Sequence, residues 1–150
     1  DFGKKGIGYD VNYLVEKIRQ ILKLDQEIRV ALVGAGHLGH AISNYNAFLK
    51  DQIRIAAIFD SDPAKQCKQI AGITIQPLEE LKETVKERHI RLAIITVPAA
   101  AAQSVADLLI EAGIEGILNF APTTIRTEKE VRIHYADVTS SLQSLAYYLT

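Results

Sequence analysis

Methionine and tryptophan are absent from this 150-residue sequence, and cysteine occurs once, at Cys67. A single thiol excludes an intrachain disulfide and any metal centre built from several cysteines, and it makes a reducing cytoplasm the default location. No apolar run approaches the ~20 residues that a membrane helix needs, and no signal-peptide pattern opens the chain. Charge of one sign is scarce as well. Seventeen Lys and Arg against 18 Asp and Glu leave a formal net charge of −1, without the broad basic field of a chain that grips nucleic acid by itself. With Asp1 first and no methionine anywhere, the sequence reads as a piece of a longer protein, part of whose function sits N-terminal to it.

What is present is an ordinary globular composition, 48% hydrophobic and 23% charged, enough chain for one domain with a proper core. Residues 1–8 (DFGKKGIG) read as a linker. From Tyr9 to Leu24 the apolar positions Val11, Leu14, Val15, Ile18, Ile21 and Leu22 recur at helical spacing, with Asp10 as N-cap. Alternation follows. IRVALV (28–33), IRIAAIF (53–59), ITI (73–75), RLAIITV (91–97) and GILNF (116–120) are short apolar runs of the kind that buried parallel strands make, and VRIHYA (131–136) adds an edge strand. Between them lie helical stretches at residues 37–49, a short one around Pro63 to Ile70, a charged one at 77–89 and an alanine-rich one at 99–113 closed by Gly113. SSLQSLAYYL (140–149) predicts a last helix. Strand alternating with helix gives an α/β fold, a doubly wound and mostly parallel sheet of Rossmann type. The expected division is a linker and leading helix at 1–24, the Rossmann domain at 25–136 and a C-terminal helical segment at 137–150.

The most informative stretch is GAGHLG, residues 34–39. Gly34, Gly36 and Gly39 fit G-x-G-x-x-G: the first for a tight turn, the second for close approach of a pyrophosphate, the third for helix–strand packing. Ala35, His37 and Leu38 complete the turn, and the helix that starts near His37 offers unpaired N–H groups to phosphates. Alone the spacing is weak; a preceding strand and a following helix strengthen it. Asp60 ends the second strand 21 residues beyond Gly39, where a carboxylate accepts hydrogen bonds from the adenosine ribose. A 2′-phosphate would meet Asp60 and Asp62 with no Arg immediately after, which favours NAD over NADP; Ser61, between them, is counted with the cofactor-binding residues. CoA-binding domains share this layout and stay open as an alternative, as does a glycine turn that binds no nucleotide.

A catalyst is missing from the pattern. A dehydrogenase needs an acid/base group beside the carbonyl that takes the hydride. The Tyr13–Lys17 spacing precedes the glycine turn, in the wrong order for short-chain dehydrogenases. His37 and His40 flank the turn, far from where a nicotinamide would lie. His89 and His134 have no partner in the pattern, and no Gly-Lys-Ser/Thr, HExxH or nucleophile elbow occurs. Cys67, on a predicted short helix with Lys65 and Lys68, reads as incidental. The expectation is a domain that holds a dinucleotide and does no chemistry on it; no catalytic residue and no metal ligand is assigned.

Taken whole, VALVGAGHLGHAI, FDSDPAK, ITVPAAAAQSVADLLIEAGIEGILNFAP and DVTSSLQSLAYYL resemble the Rex proteins, bacterial redox-sensing transcriptional repressors that respond to the NADH/NAD⁺ ratio. The similarity spans essentially all of the chain, including FGKKGIGYDV, which is similar to the join after the Rex winged-helix domain. The resemblance implies a homodimer with an N-terminal winged-helix domain for operator DNA, a C-terminal Rossmann domain, and a final helix swapped between subunits. The apolar stripe Leu142, Leu145, Ala146 and Leu149 is a reason for such packing. By position, the glycine turn would hold the pyrophosphate and Asp60 the ribose. Thr96, Val97 and Pro98, with Asn119, Phe120, Ala121 and Pro122, would line the nicotinamide half. Tyr45 and Asp137 match positions in a redox-sensitive hydrogen-bond network. One departure is Val138, smaller than the residue that relatives place toward the partner's nicotinamide. The implied function is an NADH/NAD⁺ sensor in which NADH shifts the dimer to a form that releases DNA. An NAD-dependent oxidoreductase, a CoA-binding module and a plain dimerisation domain are the rival classes.

Overall fold

The computed structural model describes residues 28–44 and 53–136. Strand β1 (Ile28–Val33) opens the described chain, followed by helix α1 (His37–Ser43), β2 (Ile53–Phe59), β3 (Gln69–Ile70) and β4 (Ile73–Gln76). A 3₁₀ turn (Leu78–Glu80) leads into α2 (Leu81–Glu87), then β5 (Leu92–Ile95), α3 (Ala99–Glu111), β6 (Gly116–Asn119) and β7 (Arg132–Tyr135). The sheet order is β3-β4-β2-β1-β5-β6-β7. Every described pairing is parallel except β3 with β4. This is the doubly wound α/β sheet that the alternation predicts, with VRIHYA as its edge.

Both faces are covered, which is why the central strands read as apolar runs rather than alternating. Val30 and Leu32 of β1, with Ile94 of β5 and Leu118 of β6, pack on one face with Leu38 and Ile42 of α1. Ala31, Val33, Ala93, Ile95 and Ile117 point to the other, against Leu81 and Val85 of α2 and Val105, Ala106 and Leu109 of α3. Strand β2 breaks the alternation. Its register against β1 skips Ala56, so Ile53 and Ile55 lie on the first face while Ala57 and Phe59 lie on the second. The Ala56 carbonyl at this bulge accepts a hydrogen bond from Arg88 Nη1 at 2.8 Å.

The short helix expected around Pro63 is not formed. Asp60 Oδ1 accepts the Asp62 N–H (2.8 Å) and Asp62 Oδ1 accepts the Ala64 N–H (2.9 Å), so side chains compete with the helical ladder for the backbone donors. The segment then turns at Cys67, whose φ is +70°, and pairs with β4 through Cys67 N–H to Ile75 O and Ile75 N–H to Lys68 O. Ala71 and Gly72, both with positive φ, close the β3–β4 hairpin, as tight two-residue hairpin loops require. Cys67 is therefore exposed on a turn and not on a helix. The charged helix is shorter than residues 77–89 and begins as a 3₁₀ turn. Helix α3 ends at Glu111, with Gly113 at φ +100° just beyond it. The expected helices at 9–24 and 140–149, and the second half of 37–49, lie outside the described residues.

Candidate functional site

The chain winds from β1 outward to β2 and β4, then returns to place β5 on the other side of β1. The carboxyl ends of β1 and β5 thus flank the topological switch point, where open α/β sheets leave a crevice for ligands. Each strand end is extended by one backbone bond to its neighbour: Gly34 N–H to Phe59 O (2.8 Å), Thr96 N–H to Val33 O (2.9 Å), Phe120 N–H to Ile95 O (2.9 Å). The glycine turn, the Thr96-Val97-Pro98 loop and the Asn119-Phe120-Ala121-Pro122 loop therefore line up along one edge.

The three glycines have separate reasons. Gly34 has φ +113°, and a Cβ there would come within 2.6 Å of Thr96 Oγ1 and 2.7 Å of the Thr96 carbonyl oxygen. At Gly39 a Cβ would run into the Gly34 carbonyl oxygen, so the α1 backbone rests directly on the turn. Gly36 differs: a Cβ there would meet nothing within 4 Å. Its lack of a side chain answers no demand of the described fold and leaves space beside the turn. No side chain caps α1 at Gly36 or α3 at Pro98, so the first N–H groups of both helices remain available along this edge.

Asp60 is half-buried at the end of β2. Its Oδ2 accepts the Ala35 N–H at 2.7 Å and its Oδ1 the Asp62 N–H at 2.8 Å. A carboxylate has roughly four acceptor sites, so two stay open for hydroxyl donors. Lys65 Nζ lies 4.0 Å from Oδ2, and Gln66 Nε2 donates to the Asp60 carbonyl at 3.0 Å. Sequence reading missed both, because it placed residues 63–70 on a helix; the turn brings them back to Asp60.

Asn119 is buried at the end of β6. Its Nδ2 donates to the carbonyls of Ala121 (3.1 Å) and Thr123 (3.0 Å), and its Oδ1 accepts the Ala121 N–H (2.9 Å). The amide is thus taken up in folding the loop that carries Phe120, Ala121 and Pro122. Phe120 packs against the α1 face of the core and Val97 against the α3 face, Ala121 is buried, and Pro98 and Pro122 are exposed. Ala35 is buried, Leu38 packs into the core, and His37, Ser61 and Asp62 are exposed. Tyr45 and Asp137 lie outside the described residues. Every other expected site residue falls on this one edge.

The opposite edge carries a bidentate exposed ion pair, Arg91 Nε and Nη2 to Glu115 Oε2 and Oε1 at 2.9 and 2.7 Å. These two hydrogen bonds, with the charges reinforcing them, hold the Glu115 carboxyl below the ordinary glutamate range and raise Arg91.

Residues 25–123 match the family model described as CoA binding domain. A redox-sensing transcriptional repressor Rex of Brevibacillus brevis is 79% identical over 150 residues, covering 100% of this chain and 72% of that protein. The chain belongs to the Rex family. Among solved structures, the Rex-family repressor RSP in complex with beta-NADH is similar at TM-score 0.78 and 31% identity, over 94% of this chain and 68% of that one. RSP in complex with beta-NAD⁺ and operator DNA is similar at TM-score 0.77 and 32% identity, over 99% and 69%. As a member of the Rex family, the chain belongs to a transcriptional regulator and not to an enzyme.

Proposed function

We propose that this chain is the NADH/NAD⁺ sensing domain of a redox-sensing repressor, and that it binds the dinucleotide across the switch-point edge. The observation that carries the reading is the open space at Gly36. A backbone with no side chain and no packing reason for its absence stands at the switch point, beside a carboxylate with unused acceptor sites. The residues fit a dinucleotide. Gly36 and the uncapped start of α1 would take the pyrophosphate, and Asp60 the adenosine ribose. Val97, Pro98, Phe120, Ala121 and Pro122 would surround the nicotinamide. The RSP complexes with beta-NADH and with beta-NAD⁺ and operator DNA support this ligand and this partner.

Discrimination follows from charge. The oxidised ring is cationic and the reduced ring neutral, so an apolar lining penalises NAD⁺ by desolvation, while the adenosine half is common to both. Only differential affinity for two conformations moves an equilibrium, and going from 1:99 to 99:1 takes about 5.5 kcal/mol. Two nicotinamide sites in one homodimer, joined through residues 137–150, would share that requirement. NADH then favours the form that releases operator DNA, which the full-length protein would contact through an N-terminal winged-helix domain in the cytoplasm.

Titration of the chain with NADH, NAD⁺ and CoA is the test. NADH binding more tightly than NAD⁺, with CoA weaker than either, is expected. Equal affinity for NADH and NAD⁺ would overturn redox sensing by this domain. Tighter binding of CoA would favour the reading that the family description suggests, against which Asp60 counts, since the CoA ribose carries a 3′-phosphate.

A further inference from the structure

Within the glycine turn, the peptide group that joins Gly34 to Ala35 is gripped on both sides. Its carbonyl oxygen accepts a hydrogen bond from Thr96 Oγ1 at 2.8 Å, and its N–H donates to Asp60 Oδ2 at 2.7 Å. A trans peptide is planar, with C=O and N–H pointing in opposite directions, so two partners on opposite sides fix the plane. The topology supplies them. Asp60 ends β2 and Thr96 follows β5, the two neighbours of β1. The Thr96 hydroxyl has one proton, and the Val33 carbonyl at 3.2 Å is its longer alternative. The fit is tight from the other direction too, because the Gly34 carbonyl rests against Gly39 and any Cβ at Gly34 would strike Thr96.

We infer that Thr96 is a positioning residue for the pyrophosphate turn, acting through the 34–35 peptide together with Asp60, and not a lining residue of the nicotinamide half. Its hydroxyl is directed at the β1 turn and orients the peptide plane from which Gly36 and the start of α1 follow. A peptide free to rotate would turn the Gly34 carbonyl, an electronegative group, toward the space beside Gly36 and repel phosphate. Thr96 therefore governs the half of the ligand that NADH and NAD⁺ have in common, although its chain neighbours Val97 and Pro98 belong to the other half. This rests on the proposed dinucleotide site.

The test is the affinity of the chain for ADP, NADH and NAD⁺ in wild type, Thr96→Val and Thr96→Ser. Valine keeps the shape and removes the hydroxyl. Thr96→Val is expected to weaken all three ligands by a similar factor, about tenfold for one hydrogen bond, with the NADH/NAD⁺ ratio unchanged. Thr96→Ser is expected to bind all three within about twofold of wild type, since it retains the donor. Thermal unfolding of each variant identifies one that fails to fold, and Thr96→Ala then takes the place of the valine variant. A changed NADH/NAD⁺ ratio with unaltered ADP affinity would overturn the inference and return Thr96 to the nicotinamide pocket. Wild-type affinity for all three in the valine variant would overturn it as well. A wild-type chain that binds none of the three ligands would overturn the site itself, a distinct result.

Discussion

Gly36 and Gly39 stand three residues apart in one turn, yet substitution by alanine should separate folding from binding. At Gly36 the new methyl group meets only open space and the backbone is extended, with φ −83° and ψ −161°. Gly36→Ala should change stability by less than about 1 kcal/mol, the scale of an N-cap change, while NADH affinity falls about tenfold or more as the methyl occupies the pyrophosphate approach. At Gly39 the methyl group collides with the Gly34 carbonyl. Backbone cannot step aside cheaply there, so Gly39→Ala should cost about 1–3 kcal/mol or more and lose binding through distortion of the turn. Thermal unfolding and fluorescence titration of the two variants side by side would check the contrast. Asn119 shows the same division for a polar residue. Asn119→Leu strips the side-chain partners from the Ala121 N–H and the Thr123 carbonyl, while the Ala121 carbonyl keeps the Thr123 N–H, which should cost about 1–3 kcal/mol. NADH affinity should fall more than ADP affinity, because the disturbed loop is the one proposed for the nicotinamide.

Elements are where the sequence was most and least readable. The runs IRVALV, IRIAAIF, RLAIITV and GILNF became strands because each is buried on both faces, and the helix at 99–113 is fixed by a stripe of Ala102, Val105, Ala106, Leu109 and Ile110. The segment after Asp60 departs from the expected helix: Pro63 fits a first helical turn, but Asp60 and Asp62 bind the backbone N–H groups themselves. The bulge at Ala56 was invisible too; an unbroken apolar run gives no sign of where its register slips. At the amino edge, Arg91 and Glu115 join the starts of β5 and β6. The Glu115 carboxyl is depressed below its ordinary value of 4.5, so the pair's contribution is present above that pH and is lost as pH falls through the lower folded value. Both side chains are about half exposed, which limits the effect to less than about 1 kcal/mol. Urea unfolding of wild type and Glu115→Gln should differ slightly near neutral pH and converge in acid.

For the molecule as a whole, the decisive measurements concern assembly. If residues 137–150 carry the homodimer contact, deleting them should convert a dimer to a monomer in light scattering. ADP affinity should stay within about threefold, since the glycine turn and Asp60 lie within one subunit, whereas the preference for NADH should shrink. A truncated chain that remains dimeric would place the contact elsewhere.

The amino-acid sequence by itself determined the class of fold, the glycine turn with its acidic partner and the family, because hydrophobic period, glycine spacing and strand-end chemistry are local properties of the chain. Only the tertiary structure decided that Gly36 faces open space while Gly34 and Gly39 are pressed against backbone. It alone brought Lys65 back to Asp60, turned the Asn119 amide into its own loop, and placed Thr96 and Asp60 at the two ends of one peptide. The two contacts on that peptide join residues 25 and 62 apart in the chain. Their geometry depends on β1 having β2 on one side and β5 on the other, an order that no local pattern encodes.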